Sequence, residues 1–312
     1  MRLDLFLVAT GVARTRSQAK AWIDAGRVRV GGKVRKAGFG VDGGERIEVD
    51  PPPEPALAVE AEDLPLTILH QDEDLLAIDK PAGMVVHPAP GSWRGTVVNA
   101  LLHRQLVSAA PSDERPGIVH RLDKETSGVL LVARTPRAHE ALARAFHDRM
   151  VKKTYLAIVL GVPRRRTGSV EWAIGRHPRN RKRMSVRSPR GRSARTDYAV
   201  IETFAGVSLV RVEPETGRTH QIRVHLAALG HPVLADPLYG ARRGRAYPPR
   251  GPARSFARQA LHAAEIAFRH PVSGEEMHLT APLPADMSDL LSALRAEKGK
   301  RGHSDFPDPG VS

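Results

Sequence analysis

Hydrophobic and polar positions follow two different periods along the 312-residue chain. In residues 1–50, apolar residues first recur at helical spacing and then at every second position, which predicts two short helices, a hairpin and a last strand. From residue 66 to residue 294, β-forming runs such as LLAIDK, VLLVA and TYLAIVL alternate with fewer helical segments. The pattern predicts a small helix–helix–hairpin unit followed by a larger α+β domain, with a mainly antiparallel mixed β-sheet and flanking helices.

Two helices of the larger domain have recognisable boundaries. One is predicted at Pro136–Met150, where the proline stands at the first helical position. The other is predicted at Thr219–Leu229, with Thr219 as its N-terminal cap and Gly230 at its end.

Composition divides the chain into four parts. Residues 1–50 form the first unit, and residues 51–65, rich in proline and acidic residues, form a semi-extended linker. Residues 66–294 form the larger domain. Residues 295–312 are expected to be a disordered tail.

The chain is strongly basic, and the excess charge is local. Lys and Arg number 48 against 34 Asp and Glu, which gives a net charge of +14. Residues 164–195 contain 12 basic residues and one acid, Glu171, and residues 242–258 contain six basic residues and no acid. Segments of this kind favour basic loops or ribbons that meet a polyanion; a solvated basic face would be more mixed in sign.

Features that the sequence lacks exclude several kinds of chemistry and of cellular location. The chain has no cysteine, which excludes disulfides, thiolate chemistry and cysteine-ligated zinc. Asp4 interrupts the apolar run at the N-terminus, so this run is not a signal peptide, and no apolar stretch approaches transmembrane length. A cytoplasmic protein with no membrane association is expected.

Basic side chains crowd the first unit, and three of them, Arg14, Arg16 and Lys20, lie in or next to its second predicted helix. This unit resembles the S4 RNA-binding domain, in which a basic second helix is followed by a strand with Gly-Lys. The resemblance implies that these three side chains bind RNA. The alternative interpretation is a small α/β subdomain with ordinary surface lysines.

The most informative segment is HRLDKETSG, from His120 to Gly128. Apolar β-formers stand on both sides of it, so a polar loop is predicted between rigid strands, where chemistry is commonly located. Its carboxylate Asp123, between the cations Arg121 and Lys124, is the candidate nucleophile. Taken alone, the segment is equally compatible with a solvated charge cluster on a hairpin.

Two further segments carry candidate site residues. Tyr155 is one of four tyrosines and stands in a predicted strand behind two lysines. The segment ETGRTHQIRVHL places Arg218, His220 and Arg223 on a short helix that also has an apolar side. Solvation alone does not explain such dense polar clustering on a helix with a buried side.

Six motifs occur in a fixed order: DKPAGMVVHP, HRLDKETSG, KKTY, ETGRTHQIRVHL, HPVLADPLYG and RQALHA. In this order they resemble the pseudouridine synthase family of the RluA type, and the resemblance spans residues 66–285. The S4-like unit in front agrees with the ribosomal RNA members of that family. Glu125 and Ser127 stand where many members have Asp and Thr, a difference that is expected to be tolerated.

The resemblance implies a role for each candidate. Asp123 would act on the ribose of a uridine, either by attacking the anomeric carbon or by removing the neighbouring sugar proton. Tyr155 would pack on the uracil and help to remove the proton from the base carbon, and Arg223 would pair with Asp123. Arg121 would fill the space that the extruded uridine leaves in its stack. No metal and no organic cofactor is expected.

The resemblance also implies an RNA partner. The side chains expected to bind RNA in the larger domain are Arg121, Arg179, Arg181, Lys182, Arg183, Arg218 and His220. The predicted substrate is large-subunit ribosomal RNA or its precursor particle, and a monomer is expected. The alternatives are the same reaction on transfer RNA or another RNA, and a non-catalytic RNA-binding protein of ribosome assembly.

Overall fold

The structure is a computed structural model that describes residues 1–13, 15–51, 59–89, 91–107, 116–240 and 251–301. The chain divides into two compact units, Met1–Ala58 and Val59–Ser312. The α+β class predicted from the sequence is confirmed, because the larger unit combines one extended mixed sheet with helices. In the described residues, no helix is both long and apolar enough to cross a membrane.

The described part of the first unit consists of two helices and a small sheet. Its elements are α1 (Leu3–Ala9), α2 (Arg16–Asp24), β1 (Val28–Val30), β2 (Lys33–Val34) and β3 (Ile47–Val49). The antiparallel sheet has the order β2-β1-β3. Thr15 caps α2, since its side-chain oxygen accepts a hydrogen bond from the Gln18 amide. The buried sides of both helices pack on the sheet around Leu3, Leu7 and Ile23.

The larger unit is built on a nine-stranded sheet with the order β4-β5-β6-β13-β7-β12-β11-β8, and β14 pairs with β13. These strands are β4 (Thr67–Gln71), β5 (Leu75–Lys80), β6 (Ser127–Ala133), β7 (Lys152–Leu160), β8 (Thr167–Val170), β11 (Thr196–Phe204), β12 (Val207–Pro214), β13 (Leu261–Arg269) and β14 (Glu276–Thr280). The pairing of β6 with β13 is parallel, and the other pairings in this sheet are antiparallel.

The parallel junction explains the glycine that closes the HRLDKETSG segment. Gly128 has a φ of +114°, and a side chain there would collide with the backbone of Ala263 on the neighbouring strand. Only glycine combines this conformation with such a close approach. The sheet therefore fixes the end of the Asp123 loop next to the start of β13.

In the described residues of the larger unit, four helices and a short two-stranded ribbon accompany the sheet. The helices are α3 (Val97–His103), α4 (Pro136–His147), α5 (Gln221–Leu229) and α6 (Ala285–Arg301), with a short 3-10 helix at Gly251–Ser255. The ribbon pairs β9 (Gly175–Arg176) with β10 (Met184–Ser185). We call residues 175–185 the basic ribbon, because they contain five of the 12 basic residues of segment 164–195 and no acid.

Three predicted boundaries differ from the structure. Thr219 does not cap α5, because the residue before the helix is His220, which has a left-handed backbone and no side-chain cap bond. Helix α4 ends at His147, three residues earlier than predicted, and is capped by Thr135. Residues 295–301, assigned to the tail, continue α6, in which Leu290, Leu291 and Leu294 pack on the core. Residues 302–312 lie outside the described ranges.

Candidate active site

Three side chains from outside the loop that carries Asp123 hold it in place by hydrogen bonds. The Lys80 ammonium at the end of β5 donates to the Lys124 carbonyl at 3.1 Å. The Arg258 guanidinium donates to the Glu125 carbonyl at 3.1 Å, and Gln259 Nε2 donates to Thr126 Oγ1 at 2.6 Å. The RQALHA motif thus holds the loop from the segment before β13.

Lys80 is a fully buried lysine whose ammonium is surrounded by backbone carbonyls. Besides Lys124, its acceptors are Pro81 at 2.6 Å and Met84 at 2.8 Å. Burial lowers the pKa of Lys80 to about 7, and the negative charges of Glu125 and Asp123 oppose this shift. The side chain ties the DKPAG motif to the Asp123 loop.

Asp123 shares a guanidinium with a second, buried carboxylate. Arg223 Nη1 donates to Asp123 Oδ2 at 2.7 Å. The other edge of the same guanidinium donates to both oxygens of Asp236, from Nε at 2.7 Å and from Nη2 at 2.9 Å. The side chain of Asp123 is 21% exposed, whereas that of Asp236 is fully buried. Arg223 therefore orients the accessible carboxylate while the buried one orients Arg223.

The charge of Arg223 is secured by its partners. Burial alone would lower the pKa of this guanidinium, but the hydrogen bonds and charges of Asp236 and Asp123 outweigh burial and raise it. Arg223 is consequently a permanent cation that binds and orients, and it is not a proton donor.

Tyr155 faces the same site from β7. Burial and then the charge of Asp123 raise the pKa of its hydroxyl, so the phenol is protonated at neutral pH. Among the described residues, its hydroxyl has no hydrogen-bond partner. The protonated state favours packing against a ligand over action as a preformed phenolate base.

His220 lies on the other side of Asp123. Its Nε2 is 3.8 Å from Asp123 Oδ1, and its Nδ1 is 2.9 Å from the Tyr239 hydroxyl oxygen. Burial lowers the pKa of His220, although the charge of Asp123 opposes the shift. Its backbone is left-handed, with a φ of +55°, a strained conformation for a non-glycine residue.

The structure places the remaining predicted RNA-binding residues of the larger unit in three environments. Arg121 is exposed two residues before Asp123. Arg218 donates to the Ser193 carbonyl at 3.2 Å and lies just before α5. The other four predicted residues lie in the basic ribbon. Arg179, Arg181 and Lys182 are exposed near its tip, and Arg183 is half-buried near its base.

The predicted residues of the first unit differ in their surroundings. Arg16 is engaged by the buried carboxylate of Asp4, with Nε 2.7 Å from Oδ2. Lys20 is exposed on α2. Arg14 lies outside the described residues, as does most of the second basic segment, residues 241–250.

Three residues of the site were missed as functional by the sequence analysis, namely Lys80, Asp236 and Tyr239. Each stands inside a motif that was recognised as a whole, DKPAG or HPVLADPLYG. The sequence feature that could have identified them is a charged or polar residue within an otherwise apolar or proline-containing motif. Among the described residues, no group of three or more His, Asp and Glu side chains could hold a metal ion.

His120, at the start of the loop, should make the stability of the fold depend on pH, and this can be tested. Its Nε2 accepts from the Leu131 amide at 2.8 Å and its ring stacks on Phe146. Burial, with a smaller contribution from Lys153, lowers the pKa of His120 from 6.5 to about 3. The unfolded chain therefore binds more protons than the folded one between these pH values, and acid below pH 6.5 destabilises the fold.

We expect His120→Gln to remove this contribution, because glutamine can accept from the Leu131 amide but does not titrate. Between pH 7 and pH 5 the wild type should lose about 2 kcal/mol of unfolding free energy through this histidine. Urea unfolding at pH 7 and pH 5 measures the difference. His147→Gln, in an 87% exposed side chain, is the control. An equal pH dependence in His120→Gln and wild type would contradict the assignment.

Comparison with known proteins adds independent findings. A family model described as RNA pseudouridylate synthase matches residues 74–228, and a model described as S4 domain matches residues 1–47. An uncharacterized RNA pseudouridine synthase of Chlorobaculum parvum is 45% identical over 95% of this chain and 94% of its own. A ribosomal large subunit pseudouridine synthase D of Xanthomonas campestris is 42% identical over 96% of this chain and 90% of its own.

A solved structure agrees with these relatives. The human protein named RNA pseudouridylate synthase domain containing 4 superposes with a TM-score of 0.59 and 29% sequence identity. The match covers 73% of this chain and 93% of the human one.

Proposed function

Because this chain belongs to the RNA pseudouridylate synthase family and is an RNA pseudouridine synthase, we propose that it isomerises uridines of large-subunit ribosomal RNA with Asp123 as the catalytic carboxylate. In this reaction the bond from N1 of uracil to C1′ of ribose breaks and a bond from C5 to C1′ forms. The hydrogen on C5 leaves and N1 gains one, so no external reactant is consumed.

The observation that carries the proposal is the unequal state of the two carboxylates in the site. Asp236 is fully buried and uses both oxygens on Arg223, so it cannot reach a sugar. Asp123 is partly exposed and is held from one side. A glycosidase needs two accessible carboxylates about 5–9.5 Å apart, whereas an isomerase that returns the base to the same sugar needs one.

Asp123 acts on the ribose by one of two routes. Its carboxylate attacks C1′ to give an ester-like intermediate, or it removes the proton from C2′ to give a glycal. In either route Arg223 holds the carboxylate in place and pointed at the sugar. Tyr155 packs against the uracil with its unpaired hydroxyl near the base, where it can take part in the final loss of the C5 proton.

A uridine in folded RNA has to leave its stack before Asp123 can reach its ribose. Unstacking the base costs roughly a few kcal/mol. Arg121 is exposed next to Asp123 in the sequence of the same loop. We assign it to the space that the extruded base leaves. The loop then supplies both the nucleophile and the side chain that keeps the uridine out of its stack.

The choice of ribosomal RNA rests on two supports. The S4 model match over residues 1–47 identifies an RNA-binding domain in front of the catalytic unit. Several relatives above 40% identity carry the name ribosomal large subunit pseudouridine synthase D. These names also support RNA as the binding partner. That the RNA is large-subunit ribosomal RNA is our proposal.

Release of tritium from C5 of uridine tests the proposal. Unmodified large-subunit ribosomal RNA, labelled at C5, should release tritium in proportion to pseudouridine formed, and transfer RNA labelled in the same way should not. Release from transfer RNA alone would show that transfer RNA, and not ribosomal RNA, is the substrate. Binding of both RNAs without release from either would contradict the catalytic proposal.

A charge reversal in the basic ribbon should weaken RNA binding without touching the site. The variant carries Glu at Arg179, Arg181 and Lys182, which are all exposed. Phosphate contacts dominate affinity, so the slope of log affinity against log salt should flatten by about 0.7 to 0.9 per lost contact. Filter binding over a range of salt concentrations measures it.

The matched control makes the same change in net charge elsewhere on the larger unit. Arg137, Arg211 and Arg269 are exposed, and the triple change of these residues to Glu should lower affinity less and leave the slope closer to wild type. Equal effects from both triple variants would show that net charge, and not the basic ribbon, determines binding.

A further inference from the structure

Tyr239 connects two parts of the protein that the proposed function uses separately. Its hydroxyl oxygen lies 2.8 Å from the amide nitrogen of Met184, in the basic ribbon, and 2.9 Å from Nδ1 of His220, beside Asp123. Its ring is buried and has the guanidinium carbons of Arg183 and Arg223 each 5.2 Å from its centre. One side chain therefore contacts both the RNA-facing ribbon and the site around the nucleophile.

The donors and acceptors around this hydroxyl determine the tautomer of His220. The Met184 amide donates to the hydroxyl oxygen, which leaves its proton free to be donated to Nδ1. His220 then carries its own proton on Nε2, which faces Asp123 Oδ1 at 3.8 Å. The opposite tautomer would point a lone pair at a carboxylate and is disfavoured.

The backbone of His220 supports a functional reason for this arrangement. Its left-handed conformation just before α5 is strained for a non-glycine residue, and its side chain makes no helix-cap hydrogen bond. Strain of this kind persists where surrounding contacts hold it. Tyr239 is one of those contacts, because it bonds the imidazole, and Asp236 in turn bonds the Tyr239 amide at 3.0 Å.

The side of Tyr239 that faces the basic ribbon shows where RNA would act on it. Arg183 lies over the tyrosine ring, and its Nε is buried without a hydrogen-bond partner among the described residues. The Nε N–H is closed off from solvent, but Arg183 as a whole is only partly buried, so the rest of its guanidinium can bind an RNA phosphate oxygen. A phosphate bound there would contact the residue that packs directly on Tyr239.

We propose that Tyr239 is a positioning residue that directs the Nε2–H of His220 at Asp123 and couples that geometry to the seating of RNA on the basic ribbon. The inference rests on the proposed function of the site. The N–H of His220 then faces Asp123 Oδ1 at 3.8 Å while Arg223 binds Oδ2, so the carboxylate meets a positive or polar group at each oxygen before the sugar arrives. Tyr239 itself touches neither the sugar nor the base.

Tyr239→Phe tests the inference, because it removes the hydroxyl and keeps the ring between the two guanidinium groups. Turnover at saturating RNA should fall roughly tenfold to a hundredfold, since small misplacements of a reacting group have effects of this size. RNA affinity should stay near the wild-type value. Tyr198→Phe is the matched control, because Tyr198 is a buried tyrosine of β11 outside the site, and it should retain full turnover.

Two measurements separate positioning from a general structural role. In ¹⁵N spectra of histidine-labelled protein, wild-type His220 should be the neutral Nε2–H tautomer, and Tyr239→Phe should give a mixture. Amide exchange at Met184 should become faster in Tyr239→Phe and not in Tyr198→Phe. Combining His220→Asn with Tyr239→Phe should be no worse than His220→Asn alone, because the tyrosine acts through the histidine.

Several outcomes would overturn the inference. Full turnover in Tyr239→Phe would show that the hydroxyl is not used, and an equal loss of affinity and turnover would reduce Tyr239 to a support of the ribbon. A wild-type His220 protonated on Nδ1 alone would refute the coupling whatever the activity. This spectroscopic result is independent of RNA, so it stays informative if the wild type fails to release tritium and the proposed function fails with it.

Discussion

Asp123→Asn should abolish tritium release from uridine, with turnover lowered by about 10⁴-fold or more, because loss of a nucleophile has effects of this order. The asparagine keeps the size of the side chain and can still accept a hydrogen bond from Arg223, which lies 2.7 Å from Asp123 Oδ2. What it lacks is the negative charge that acts on the ribose. Single-turnover release under excess enzyme measures the effect.

RNA binding should survive the same change. Affinity comes chiefly from phosphate contacts, so Asp123→Asn should bind within about threefold of wild type in filter binding. Asp289→Asn, an exposed position on α6, makes the same chemical change away from the site and should retain full activity. Parallel loss of binding and turnover in Asp123→Asn would indicate a damaged fold and would remove the support for a nucleophile.

Asp236→Ala should have the largest effect on stability, lowering the unfolding free energy by about 3–5 kcal/mol. The change leaves Arg223, whose side chain is 5% exposed, without its bidentate partner in a buried position. It also removes the acceptor of the Leu238 and Tyr239 amides. Urea unfolding at neutral pH measures the loss, and turnover should fall roughly a hundredfold because Arg223 no longer holds Asp123 in place.

A surface ion pair provides the control for Asp236→Ala. Asp197 lies 3.4 Å from Arg195 and its side chain is 42% exposed. Asp197→Ala should change the unfolding free energy by about 0.5 kcal/mol or less, because exposed pairs contribute little. If Asp236→Ala cost no more than Asp197→Ala, the buried carboxylate would not be the anchor of Arg223.

Local patterns in the sequence were sufficient for much of the fold. The periodicity of residues 1–50 predicted the helices and hairpin of the first unit, and the β-forming runs predicted the mainly antiparallel sheet. The family resemblance is confirmed by the family model and by the relatives. Helix and strand periods are properties of neighbouring residues, so a sequence carries them directly.

Helix ends were less predictable than helix positions. Thr219 has the side chain of a cap, but the backbone turns at His220, and the helix begins at Gln221. Residues 295–301 were assigned to a tail, whereas α6 continues through them, and there Arg295 pairs with Glu202 and Lys298 lies over the Phe204 ring of β11. In both cases tertiary contacts overrode a local preference.

The sequence by itself pointed to the residues that we propose carry the chemistry, since Asp123 and Arg223 stand in recognisable motifs. Only the tertiary structure decided how charges are paired across the chain. Arg223 meets Asp123 100 residues away and Asp236 13 residues away, and Arg16, expected to bind RNA, is held by Asp4. The pairing of Arg223 with Asp123 depends on the order of strands and on the parallel junction of β6 with β13, and no local period encodes either of these.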